Sequence, residues 1–444
     1  MMIAHDSIEV EGVSALRGSV VPPGDKSISH RALLLAALAE GSSEIRGLSR
    51  GEDVSNTAAA IAALGAEVTP LGRTSSPNAS GVDLLVKGGR GKLGEPERPL
   101  ECGNSGTSMR LLCGMVSSIP GLFLLCGDSS LSKRPMGRVL EPLAAMGARV
   151  DGRQGGQLPP LAVRGGDLQG RHHRLAVASA QVKGALLLAG LSARGTTVVE
   201  EPGRSRAHTE EMLALAGVEV QTEDRGAARV ISVRSAALSP FDIHVAADPS
   251  QAAFWVVAAL VVPQSEITVK GVYPRSERTG FLAVLRRMGA QIETVEVDDQ
   301  RMDITARHSE LCATDITEEE VPGLIDEVPI LAVAACFAKG TSHFAGGPEL
   351  RVKESDRVAT TVGMLSAFGV GAKGEAWGIQ IEGNAGAGLH AGSVDSHGDH
   401  RIAMAAAVAA AATKGTSRIS GWRSVATSYP GFEDDFVSLG GRAG

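Results

Sequence analysis

Six times along the chain an apolar run ends in a small, polar turn: LLLAALAEGSSEIRG, LLCGMVSSIPGLFLLCG, ALLLAGLSARGTTVVEEPG, FWVVAALVVPQSEITVKG, ILAVAACFAKGTSHFAG and AMAAAVAAAATKGTSRISG. The turns fall near positions 41, 121, 195, 264, 340 and 415. A run that is apolar on all sides predicts a helix buried on all sides. A second pattern tracks the first. LGAEV, MGARV, AGVEV, MGAQI and FGVGA set glycines at 65, 147, 217, 289 and 369, with a weaker LGG near 440. Glycine after a helix, followed by alternating apolar residues, predicts a left-handed cap leading into a strand. Each unit of roughly 70 to 80 residues therefore reads as helix, strand, second helix, then strands. Six such units exceed one core and halve into two domains of three; a solenoid of six is the other arrangement the pattern admits.

Composition changes this picture little. The chain has 444 residues, 43% hydrophobic and 21% charged, which suits a large buried core. No apolar run reaches the ~18 to 20 residues of a membrane span, and MMIAHDSIEV lacks the apolar core of a secretion signal. A cytoplasmic protein without membrane partners is expected. Five cysteines without a C-x-x-C pair suggest neither disulfides nor a cysteine zinc site, and are expected to be buried small hydrophobes. The net charge of −7 and the low aromatic content argue against a nucleic-acid surface. Clustered cations then need a small anionic partner.

Such clusters stand at the starts of the buried helices. They comprise Lys26, Ser27 and Arg31; Asn104 to Thr107 with Arg110; Ser179, Gln181 and Lys183; Asp248, Ser250 and Gln251; Asp326 and Glu327; and Asp399, His400 and Arg401. A helix N-terminus carries about +0.5 charge and disfavours cations by roughly 0.3 to 1 kcal/mol each. Lys26 and Arg31 are therefore local defects unless something negative cancels them. If the helices point one way, their free N–H groups and these cations form an anion site. Two further charged segments are GDSSLSKRPMGR (127–138) and LRVKESDR (350–357), in which Lys353, Glu354, Asp356 and Arg357 are expected within about one helical turn. His397 and His400 beside Asp399 are too few ligands for zinc, so no metal is expected.

At these residues the sequence resembles the 5-enolpyruvylshikimate-3-phosphate synthase family. The motifs are PGDKSISHRALLLAAL, CGNSGTSMR, SLSKRPM, SAQVKGALLLAGL, SRAHTE, LRVKESDR and GDHRIAMA, in order over nearly the whole chain. The resemblance implies a two-domain inside-out α/β barrel of six βαβαββ units, three per domain. Residues 1–25 with 249–444 would form one domain and 26–248 the other, with the active site in the interdomain cleft. The implied reaction moves the enolpyruvyl group of phosphoenolpyruvate to the 5-hydroxyl of shikimate 3-phosphate and releases phosphate, on the route to chorismate and aromatic amino acids. No metal or organic cofactor is implied, and a monomer is expected.

By the same resemblance Lys26 meets both substrates. Ser27, Arg31, Ser179, Ala180, Gln181 and Arg206 meet shikimate 3-phosphate, while Gly106, Arg134, Arg357 and Arg401 hold phosphoenolpyruvate. The chemistry needs a base at the attacking hydroxyl, an acid for the methylene carbon and donors for the departing phosphate. Asp326 takes the first role and Glu354 the second, with Lys26 and Lys353 neutralising phosphate; the proton must move both ways, so Asp326, Glu354 and Lys26 can exchange labels. Three positions depart from common members of the family: Ser130 replaces an arginine, which moves that contact to Arg134; Ala180 replaces a frequent second serine; and a C-terminal lysine is replaced around Thr427. Gly106 matches the residue whose small size admits glyphosate. The nearest alternative is the related transferase acting on UDP-N-acetylglucosamine, but the 127–138 loop has no cysteine and the N-terminal motif is K-S rather than K-N. A non-catalytic anion-binding repeat protein would have no use for Asp326, Glu354 and Lys353.

Overall fold

The computed structural model describes residues 5–72 and 81–444. The six apolar runs are helices: Lys26–Leu38, Gly106–Val116, Ala180–Gly190, Pro249–Val261, Val328–Cys336 and His400–Ala411. Every residue of the last three is buried. Having no polar face, they can lie only inside a core. The capping glycines are left-handed, with φ of 117°, 113°, 80°, 94°, 84° and 100° at Gly65, Gly147, Gly217, Gly289, Gly369 and Gly440.

One sheet shows the plan of each unit. Leu100–Glu101 runs parallel to Gly121–Cys126 (Leu100 opposite Leu125), joined by the buried helix Gly106–Val116. Gly121–Cys126 then pairs antiparallel with Leu158–Gly165, and Arg149–Gly152 closes the other edge (Phe123 and Val150 both opposite Val163). Among the described residues, six sheets follow this order, five of four strands and one of five. Three of them borrow a strand from a distant part of the sequence. Ile243–His244 runs parallel to Ser42–Leu48. Arg17–Val20 joins the sheet of Glu266–Val272, and Ser7–Glu11 pairs with Thr416–Ser420.

The chain divides into two compact units. One takes the chain up to Asp25 and again from Ala246 to Gly444; the other takes the described residues from Lys26 to Val245. The second boundary between these units lies before Ala246. The reason is backbone pairing. Asp25 N donates to Ala246 O at 2.8 Å, and Ala247 N donates to Gly271 O at 2.9 Å, so these residues are already tied into the first-named unit. In the other unit the helices Gly106–Val116 and Ala180–Gly190 approach so closely that a Cβ on Gly114 would lie 2.2 Å from Ala185 O. Among the described residues, no helix is long and apolar enough to cross a membrane.

The cysteine expectation needs correction. Cys102, Cys113 and Cys336 are buried, but Cys126 is half-buried and Cys312 is exposed. Cys312 ends a two-residue edge strand, Leu311–Cys312, with the inward position already filled by Leu311.

Candidate active site

In the unit from Lys26 to Val245 the cationic helix start is compensated internally. Lys26 is the first residue of its helix, and its Nζ lies 2.9 Å from Asp53 Oδ2, in the first turn of the helix Glu52–Ala63. An acid at one helix start therefore offsets a cation at another. Arg31 is buried and bridges three segments: Nε donates to Thr209 Oγ1 (2.7 Å), Nη1 to Ser27 Oγ (2.7 Å) and Nη2 to Ala180 O (3.0 Å). Ala180 contributes a main-chain carbonyl here, so its missing hydroxyl does not affect this contact. His208 Nδ1 lies 3.3 Å from Ser27 Oγ.

A second knot surrounds Gly106. Ser105 caps that helix, its Oγ accepting from Ser108 N at 3.0 Å. Arg110 Nη1 donates to Gln181 Oε1 at 2.7 Å, Arg110 Nη2 to Pro135 O at 3.1 Å, and Gln181 Nε2 to Thr107 Oγ1 at 2.8 Å. Arg134 Nη2 donates to Asn104 Oδ1 (2.7 Å) and to Ser130 Oγ (3.2 Å). Ser130 thus helps to orient Arg134. A Cβ on Gly106 would sit 2.7 Å from Arg110 Nη1 and 3.4 Å from Arg134 Nη1. Arg206 is half-buried just before the helix His208–Leu215.

Sequence reasoning placed Arg110 in a cluster without a role and passed over Asp53. Neither had a local signal, since their partners are 71 and 27 residues away. A chain of buried hydrogen bonds was also missed: His30 Nδ1 to Thr57 Oγ1 and Thr57 Oγ1 to Ser108 Oγ, both 2.7 Å.

The unit completed by Ala246–Gly444 gathers its charges around one guanidinium. Arg357 is fully buried; Nε donates to Asp399 Oδ2 (2.9 Å), Nη1 to Asp326 Oδ1 (3.2 Å) and Nη2 to Glu354 Oε2. Burial works to lower the Arg357 pKa, but the carboxylates of Asp399, Glu354 and Asp326 outweigh it and hold the value above the ordinary one. Arg401 Nη1 donates to Asp326 O at 3.1 Å. Asp399 has two duties: its Oδ1 caps the helix His400–Ala411 by accepting from Arg401 N (3.0 Å), while Oδ2 holds Arg357. The Thr427 hydroxyl lies 3.4 Å from His400 Nδ1.

Lys353 and Glu354 do not lie on a helix, contrary to the expectation for LRVKESDR. Residues 351–355 form turns, and the helix Arg357–Ala367 starts only after Asp356, whose Oδ1 accepts from Val358 N (3.1 Å) and Ala359 N (3.0 Å). An aspartate that caps cannot also continue a helix upstream. Half-buried Lys353 therefore sits on a turn beside Glu354. Among the described residues, no group of three or more side chains is placed to hold a metal ion.

Comparison with known proteins supports one assignment. The profile of the family described as EPSP synthase (3-phosphoshikimate 1-carboxyvinyltransferase) matches residues 10–436. A 3-phosphoshikimate 1-carboxyvinyltransferase of Synechococcus sp. (strain JA-3-3Ab) is 46% identical over 96% of this chain and 95% of its own length. That of Acidiphilium cryptum (strain JF-5) is 47% identical over 94% and 93%. The solved EPSP synthase of Acinetobacter baumannii superposes with a TM-score of 0.84 at 36% identity, covering 99% of each chain. The enolpyruvyl transferase NikO of Streptomyces tendae shares the fold, with a TM-score of 0.78 at 18% identity over 99% and 98% of the two chains. With a matching profile, full-length relatives and a common architecture, the chain belongs to the EPSP synthase family.

Proposed function

We propose that these polar clusters serve the reaction of this family: transfer of the enolpyruvyl group of phosphoenolpyruvate to the 5-hydroxyl of shikimate 3-phosphate, with release of phosphate. The observation that supports this best is the Arg357 hub. One buried guanidinium fixes Asp326 and Glu354, from segments 31 and 3 residues away, relative to each other. Fixing two carboxylates before substrate arrives is what proton transfer in two directions requires.

In the first half-reaction Asp326 takes the proton of the 5-hydroxyl as its oxygen bonds to C2 of phosphoenolpyruvate, and Glu354 gives a proton to C3, making a methyl group. In the second, C3 returns a proton, the C2–O bond to phosphate breaks and the enol ether forms. A carboxylate next to Arg357 favours its charged form, whereas an arriving phosphate dianion favours the protonated one. Substrate binding itself therefore helps to load the acid. Lys26 and Lys353 neutralise the departing phosphate, and Gly106, Arg134, Arg357 and Arg401 take phosphoenolpyruvate, the arginines through guanidinium forks. Ser27, Arg31, Ser179, Ala180, Gln181 and Arg206 take shikimate 3-phosphate. Ser179 suits this role because it is the N-cap of its helix, beside free N–H groups.

A cytoplasmic monomer completes the reading; phosphoenolpyruvate is a cytoplasmic metabolite. Phosphate release from phosphoenolpyruvate should depend on shikimate 3-phosphate and not on UDP-N-acetylglucosamine. Release with the nucleotide sugar alone would overturn the assignment.

A further inference from the structure

Beneath the helix Ala180–Gly190 lies a buried ion cluster outside the groups described above. Lys183, on the first turn of that helix, is fully buried, and its Nζ lies 3.0 Å from Glu201 Oε2 and 2.8 Å from Glu210 Oε1. Glu201 is also fully buried, at the end of the strand Thr196–Glu201. Its other oxygen, Oε1, accepts from Ser179 N at 3.1 Å and from Ser205 Oγ at 2.6 Å. One carboxylate thus ties the N-cap residue of the helix to the segment that carries Arg206. Lys183 N in turn donates to Ser179 O at 3.0 Å, so Ser179 is held from both sides of its main chain.

Such an arrangement is expensive as mere packing. Buried charges cost more desolvation than a well-packed apolar replacement of similar volume, so the cluster contributes little to stability that hydrophobic side chains would not. What apolar residues cannot do is accept two hydrogen bonds from two segments at once. We infer that Glu201, held by Lys183, which also pairs with Glu210, is a positioning residue that sets Ser179 and Arg206 for shikimate 3-phosphate. This rests on the reading that those two residues bind that substrate.

The test compares Glu201→Met, which removes the acceptor at similar volume, and the triple variant Lys183→Met, Glu201→Met, Glu210→Gln with the unaltered protein, reading steady-state constants for each substrate together with thermal stability. The proposal expects the KM for shikimate 3-phosphate to rise about tenfold in both variants, the loss equivalent to one charge-assisted hydrogen bond, with the KM for phosphoenolpyruvate changed less than twofold. The triple variant should melt at or near the normal temperature, so that a raised KM does not reflect a loosened fold. A folded variant whose KM for shikimate 3-phosphate stays within twofold of normal overturns the inference. So does an equal rise for both substrates. If Glu201→Met does not fold, Ser205→Ala removes only one of the two tethered donors and carries the same expectation. Ser179→Ala separates the two levels: if it leaves binding of shikimate 3-phosphate unchanged, the site reading fails; if it weakens binding while the Glu201 variants do not, only the positioning role fails.

Discussion

Arg357 and Asp399 meet at 2.9 Å, Nε to Oδ2, with both side chains fully buried. Because Asp399 also caps the helix His400–Ala411, one carboxylate couples a helix start to the hub that fixes Asp326 and Glu354. Asp399→Ala should cost about 3–5 kcal/mol by leaving a buried guanidinium short of a partner. Chemical denaturation followed by circular dichroism measures this, and a loss below about 1 kcal/mol contradicts the coupling.

Glu354→Gln keeps the shape of the side chain and removes its proton. It should lower kcat by about 10²- to 10⁴-fold, the usual worth of a general acid or base, with a normal circular dichroism spectrum. Lys26→Ala should also abolish turnover. Near-normal kcat in either variant removes that residue from the mechanism.

Gly106→Ala places a methyl group 2.7 Å from Arg110 Nη1 and 3.4 Å from Arg134 Nη1. The nearer atom ends a flexible side chain, so the fold accommodates the change while both guanidiniums shift. Crowding of about 1 kcal/mol predicts roughly a fivefold rise in the KM for phosphoenolpyruvate and weaker inhibition by glyphosate. Unchanged values for both would separate Gly106 from the phosphoenolpyruvate site.

Asp435 offers a pH test away from the site. Burial pushes its carboxyl up to about 6, although Tyr429 Oη donates to it at 2.6 Å. A carboxyl whose folded value is raised binds its proton more tightly in the folded state, so its contribution to stability is present at low pH and is lost as pH rises from about 4 to 6. Asp435→Asn should therefore be more stable than the parent at pH 7 and the difference should vanish near pH 4, by comparison of melting curves. A difference independent of pH refutes the assignment.

The thiols should react unequally. Burial pushes Cys113 up to about 12, and burial together with Glu101 does the same for Cys126, so neither is a thiolate near neutral pH. Exposed Cys312 should be alkylated first by iodoacetamide at pH 8, with full activity retained, as peptide mass spectrometry would show. Early labelling of Cys113 would contradict the burial.

The six helices, their glycine caps and the cationic helix starts were legible in the amino-acid order, because apolar run length, glycine after a helix and a lysine at the wrong end are all local signals. The partners of those cations were not. Arg31 reaches Thr209, 178 residues away, and Arg110 reaches Gln181 across 71. The order of residues alone shows which long apolar runs must be buried and which charges need compensation, since solvation and helix dipoles act on each residue wherever it lies, but not that a lone Cys312 is exposed. Only the tertiary structure decided that Asp53 answers Lys26, that Asp399 both caps a helix and holds Arg357, and that Glu201 joins Ser179 to Ser205. Hydrogen bonds act over about 3 Å, and the folded chain alone determines which residues come that near.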